Sequence, residues 1–178
     1  DLPRTDQVPR TAHGVGYASE GKNPDPFPHS PSTTVIRVSI ANRQRSLPVD
    51  RAAIRRLVRS ILQDAGFQNG SISVAVVDDP AIAQLHAEFL GDPDPTDVLS
   101  FVLEQSADSL EGEVIVSADT ARANAQQYKQ TAEQELLLYV IHGSLHLVGY
   151  DDTSPRKRAQ MRKMEKHYMV RNSTRSRD

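Results

Sequence analysis

The 178-residue sequence has no cysteine and no tryptophan, and aromatic residues make up only 5% of it. Without cysteine there are no disulfide partners and no thiolate metal sites, and an intracellular compartment is permitted. Any metal has to be held by imidazole nitrogen and carboxylate oxygen. Long hydrophobic runs are also missing. The longest, "LLLYVI" at 136–141, falls far short of the roughly 20 residues that span a bilayer, so no membrane partner is expected. No charged-then-apolar segment of the signal-peptide kind stands at the start. Lys and Arg are absent from Ser60 to Ala121, a stretch in which Asp and Glu recur.

The net charge of −2 hides a segregation. Arg156, Lys157, Arg158, Arg162, Lys163, Lys166, Arg171, Arg175 and Arg177 surround a single Glu165, and a second basic group lies between Arg37 and Arg59. Such a distribution marks either a polyanion-binding face or a solvated helix face with a basic tail. Hydrophobic residues make up 38%, enough for one core. Residues 1–32, with "GKNPDPFPHSPS", are Pro-rich and aperiodic, and are expected to form a disordered tail carrying His13 and His29. A single domain is expected over 33–170, followed by a basic tail over 171–178.

Within that domain the β-branched alternation of "TTVIRVSI" (33–40) predicts a strand. Asp50 can cap a helix whose Ile54, Leu57, Val58, Ile61 and Leu62 keep a helical period up to Gly66. "SISVAVVDD" predicts a second strand, and Asp79-Pro80 opens a second helix. "DVLSFVL" (97–103) and "EGEVIVS" (111–117) predict strands paired as a hairpin. Ser117 can cap a third helix. Thr131 and Gln134 form a capping box for a fourth, expected to be the longest, and Ser154-Pro155 starts a basic fifth helix ending near Val170. The order β-α-β-α-β-β-α-α-α implies an α+β fold, with a small mixed sheet of about four strands covered by about five helices.

The chemistry lies in "VIHGSLHLVGYDDTS", 140–154. On a helix, His142 and His146 are one turn apart and point the same way. Two imidazoles at that spacing grip one cation at about 2.0–2.1 Å each. Gly149 can end the helix with a positive φ, and the chain then turns back, bringing residue 152 towards the rings. Asp152 is therefore the expected third ligand, with Asp151 as the rival. One divalent ion per chain is expected, zinc by the donor set.

The segment resembles the signature of the YbeY family of endoribonucleases, H-G-x-L-H-L-x-G-Y-D-H, with His142, Gly143, Leu145, His146, Leu147, Gly149, Tyr150 and Asp151 in register. "DPTDVLSF" (94–101) resembles the family's P-T-[DN]-V-L-S-F strand, and "EGEVIVS" its L-G-D-[IV]-x-I-S strand, with Glu113 in the Asp position. The resemblance covers about residues 35–170. It implies a zinc-dependent hydrolase that cuts single-stranded RNA in ribosomal RNA maturation, chiefly of the small subunit, and that associates with ribosomal particles in the cytoplasm. Two positions depart from the pattern. Asp152 stands where the family has its third histidine, which lowers the formal charge of a zinc site from +2 to +1. Leu90 stands where the family has an arginine, with His86 near the family's asparagine, so a bidentate phosphate contact is lost there. The basic residues Arg156, Lys157, Arg162 and Lys163 are candidates to bind RNA instead.

Asp151 and Glu113 are candidate bases. Gly143 occupies the place where H-E-x-x-H peptidases carry their glutamate base, which disfavours peptide hydrolysis. The readings that remain are an endoribonuclease and, in a different class, a ribosome-binding assembly factor whose metal is mainly structural.

Overall fold

The computed structural model describes residues 34–175. The expectations for the Pro-rich stretch 1–32, and for His13 and His29, fall outside them. The elements are β1 (Val35–Asn42), α1 (Arg51–Asp64), β2 (Asn69–Val77), α2 (Asp79–Leu90), β3 (Val98–Gln105), β4 (Ser109–Ser117), α3 (Ala118–Tyr128), α4 (Ala132–Leu147) and α5 (Pro155–Arg175). The caps fall where side-chain chemistry placed them. Asp50 accepts from Ala53 N, Ser117 from Thr120 N, and Thr131 and Gln134 close a reciprocal box at the start of α4.

The four strands form one mixed sheet in the order β1-β2-β4-β3. β1, β2 and β4 run parallel, while β3 pairs antiparallel with β4. The interior strands β2 and β4 are apolar on both faces, as "SVAVV" and "EVIVS" require. On one face Val74, Val76, Val114 and Val116 meet α1 and α4. On the other, Ala75, Val77, Leu99 and Ile115 meet Ile82 of α2. A third cluster joins Leu57 and Ile61 of α1, Ile141 and Leu145 of α4, and Met161 and Tyr168 of α5. Helix α4 is thus covered on two sides, which accounts for its nearly all-apolar middle.

Its contact with the sheet is close. A methyl group on Gly143 would lie 2.8 Å from Val114 Cγ1 and 2.9 Å from Val98 Cγ2. Glycine is needed at 143 so that the helix can lie flush on β3 and β4.

The longest helix is α5, with 21 residues against 16 in α4. It continues past Val170 through Arg171 to Arg175, where a basic tail was expected. The Tyr168 hydroxyl donates to Asp64 Oδ2 at 3.0 Å, and Arg171 Nη1 reaches the same oxygen at 2.6 Å. These contacts moor the last turns of α5 to the end of α1.

Candidate metal centre

Helix α4 presents His142 and His146 on one face. The chain leaves the helix at Val148 and reverses at Gly149, whose φ of +96° is the positive value expected of it. The reversal returns Asp152 to the rings. His142 Nε2 and His146 Nε2 lie 2.9 Å apart, Asp152 Oδ2 is 3.8 Å from the first, and Asp152 Oδ1 is 3.9 Å from the second. Their side chains retain only 12%, 2% and 8% of their exposure. Ligand atoms around a tetrahedral zinc ion with bonds of about 2.0–2.1 Å stand roughly 3.3 Å apart. The three separations bracket that value, and the group could hold a metal ion.

The surroundings tune the three residues. His142 Nδ1 donates to Glu165 Oε1 of α5 at 2.7 Å. That bond places the proton on Nδ1 and leaves the Nε2 lone pair facing His146 and Asp152. Burial opposes protonation of His142, but the Glu165, Asp97 and Asp152 carboxylates together outweigh it and raise its pKa. Burial pushes the Asp152 and Asp97 carboxyls up, and the neighbouring His142 offsets this only in part. Three carboxylates crowd two imidazoles in a desolvated spot, so protons are drawn to where a cation's charge is needed. That donor set fits a divalent ion.

The loop is braced by Asp151. Its Oδ1 accepts from the backbone N–H groups of Asp152 and Thr153, and its Oδ2 from the Thr153 hydroxyl at 2.8 Å and from Lys157 Nζ at 2.6 Å. Hydrogen bonds from Lys157 first, then Thr153, hold the Asp151 carboxyl well below the usual range. Arg158 Nη1 grips the Asp152 carbonyl at 3.1 Å. Asp151 therefore folds the loop that delivers Asp152. Glu113 does not join the group. It lies on the Ile115 side of β4, whereas Val114 and Val116 face α4.

Among the candidate RNA-binding residues, Arg156, Arg162 and Lys163 are exposed on α5, while Lys157 is paired with Asp151. Leu90 packs against the Ile82 cluster. His86 is buried, and its Nδ1 bonds the Asp94 carbonyl at 2.7 Å, tying down the loop before β3. Ser100 is buried opposite Val114, the Thr96 hydroxyl donates to Asp97, and His167 is exposed.

Two residues of the centre were not singled out from the sequence. Glu165 is 23 positions from His142; the one available signal was that it is the lone acid in a basic helix. Asp97 stands out in the sequence only as part of "DPTDVLSF".

With this geometry in place, the comparisons with known proteins bear on the whole fold. A family model described as Endoribonuclease YbeY matches residues 39–173. The chain belongs to the YbeY endoribonuclease family. A relative from Chloroherpeton thalassium named Endoribonuclease YbeY is 36% identical over 71% of this chain and 88% of that protein. One of the same name from Rhodopirellula baltica is 45% identical over 56% of this chain and 53% of that protein, so the chain spans about half of that relative's length. The solution structure of TM1509 from Thermotoga maritima matches 80% of this chain and 92% of its own, with a TM-score of 0.57 and 27% identity. No helix among the described residues is long and apolar enough to cross a membrane.

Proposed function

We propose that this protein is a zinc-dependent endoribonuclease that cuts single-stranded RNA during ribosomal RNA maturation, working on ribosomal particles in the cytoplasm. The observation that carries the reading is the convergence of His142, His146 and Asp152 on one buried point within the fold of this family. When bound, the ion supplies Lewis-acid charge to a phosphodiester oxygen.

The protein's own residues do the rest. His142 and His146 would hold the ion through Nε2, with Glu165 keeping the proton of His142 on Nδ1. Asp151 and Arg158 hold the backbone of Asp152, so the third ligand arrives on a braced loop. Exposed Arg156, Arg162 and Lys163 give the RNA backbone a cationic surface one turn or more beyond that loop. No carboxylate can replace Gly143, because that position is filled by the contact between α4 and the sheet. The peptidase route therefore lacks its base.

The test is incubation of metal-quantified protein with single-stranded RNA, duplex RNA and casein, with His142→Ala as control. Cleavage of single-stranded RNA alone, abolished in His142→Ala, is the expected result. Equal cleavage by the variant would refute the assignment. Metal-loaded protein that binds RNA without cutting it would point to the assembly-factor reading, which is favoured by a leucine at position 90, partly buried against the Ile82 cluster, in place of a phosphate-binding arginine.

A further inference from the structure

Beside the metal-ligating group lies an open groove of about 640 Å³, formed where the end of β3, the C-terminus of α4, the Gly149 loop and the first turns of α5 come together. His146 lines it, so it is continuous with the centre described above. Its other lining side chains include Val102 and Gln105 of β3, Tyr150 and Asp151 of the loop, and Lys157 and Gln160 of α5.

The groove is poorly suited to a phosphate. Its two charged side chains among these, Asp151 and Lys157, are joined to each other at 2.6 Å and cancel. Helix α4 ends here, and the last carbonyls of a helix carry the negative end of its dipole. The carbonyls of Ser144, Leu145 and His146 are taken up by the N–H groups of Val148, Tyr150 and Gly149, so this end of α4 offers an anion neither a donor nor a free cation.

The groove suits a planar, neutral, polar-edged group. Gln105 and Gln160 are exposed, and neither side-chain amide has a hydrogen-bond partner among the described residues. Each offers both a donor and an acceptor. Val102, 39% exposed, and the half-buried Tyr150 supply apolar surface for the face of a ring. The cations a nucleic-acid backbone needs stand next to this groove. Arg156, Gln160 and Lys163 are spaced four and three apart, so they share one stripe of α5.

We infer that this groove is a nucleobase subsite. It seats an unpaired base of the RNA strand next to the scissile phosphate, while the flanking phosphates run along the Arg156–Lys163 stripe. Duplex RNA is excluded because its base edges are already paired and stacked. This inference rests on the endoribonuclease reading and specifies the part of the substrate that the site recognises.

The experiment uses full-length, metal-quantified protein and a short single-stranded 2′-O-methyl RNA, which binds without being cut by 2′-hydroxyl attack. Binding is compared with a set of strands in which one nucleotide at a time is made abasic. An abasic residue at one or two adjacent positions is expected to weaken binding by about fivefold or more. In a Gln105→Ala/Gln160→Ala variant that penalty should largely disappear, with metal content and the salt dependence of binding unchanged, since no phosphate contact is removed. Both residues are exposed, so the variant keeps the fold. A uniform response along the strand would overturn the inference, as would a flattened salt dependence in the variant. Cleavage of unmodified RNA by the same preparation separates the two levels. Cutting with base-independent binding removes the subsite alone, whereas failure to bind or cut any RNA removes the endoribonuclease reading with it.

Discussion

Replacing Gly143 with alanine tests how tightly α4 is seated on the sheet. The new methyl would lie 2.8 Å from Val114 Cγ1 and 2.9 Å from Val98 Cγ2, against a comfortable carbon–carbon separation of about 3.5–4.0 Å. The shortfall is therefore roughly 0.6–1.2 Å. Both neighbours are β-branched, stand on adjacent paired strands and are buried, so neither can swing aside. The helix has to lift, and overpacking of this kind costs about 1–3 kcal/mol. Alanine recovers about 1 kcal/mol of helix propensity over glycine. The net loss is about 1 kcal/mol, a fall in Tm of about 2–4 °C for a domain of this size. Thermal unfolding followed by circular dichroism, with metal removed from both proteins, is the assay. A Tm equal to or above that of the wild type would refute the packing. Gly143→Glu should not yield folded protein at all, because a long charged side chain has no room between the helix and the valines.

Three further expectations concern the supports of the centre. Glu165→Ala should weaken zinc affinity by about 10–100-fold, and Glu165→Gln by less, because the amide oxygen still accepts from His142 Nδ1. Chelator competition measures both, and wild-type affinity in the alanine variant would remove Glu165 from the site. Asp64→Ala deletes the acceptor shared by Tyr168 and Arg171, so amide hydrogen exchange over 168–175 should quicken and stability should fall by about 1 kcal/mol; unchanged protection would show that α5 is held by its apolar face alone. Asp151, held ionised by Lys157 and Thr153, stabilises its loop at pH values above the ordinary carboxylate range, and this is lost only as the pH falls through its lowered pKa. A carbon-13 titration of its carboxyl should show a midpoint below the usual value, and a midpoint at or above that value would contradict the Lys157 contact.

Much of the centre was legible because it is local in sequence. His142, His146, Gly149 and Asp152 are placed by helix geometry and one turn, so their spacing suffices to bring them together. The caps were legible for the same reason. Glu165 was not, because its bond to His142 depends on α5 folding back so that Met161 and Tyr168 pack against Ile141 and Leu145. On its own helix Glu165 looks like one more solvated charge. The side of the sheet on which Glu113 lies was hidden by the run "VIVS", which is apolar on both faces and so carries no visible alternation. The strand order β1-β2-β4-β3 could not be read from periodicity either, since each pattern predicts a strand without naming its neighbour. The contacts that moor the end of α5 were hidden as well, because Asp64 lies more than a hundred positions away from Tyr168.

The most direct test of the metal centre is the metal content of protein purified without added metal, measured by elemental analysis for the wild type, Asp152→Ala and a His142→Ala/His146→Ala double variant. About one zinc ion per chain is expected in the wild type, with a marked loss in Asp152→Ala and essentially none in the double variant. Equal metal in all three proteins would contradict it, because His142, His146 and Asp152 would then not be the ligands.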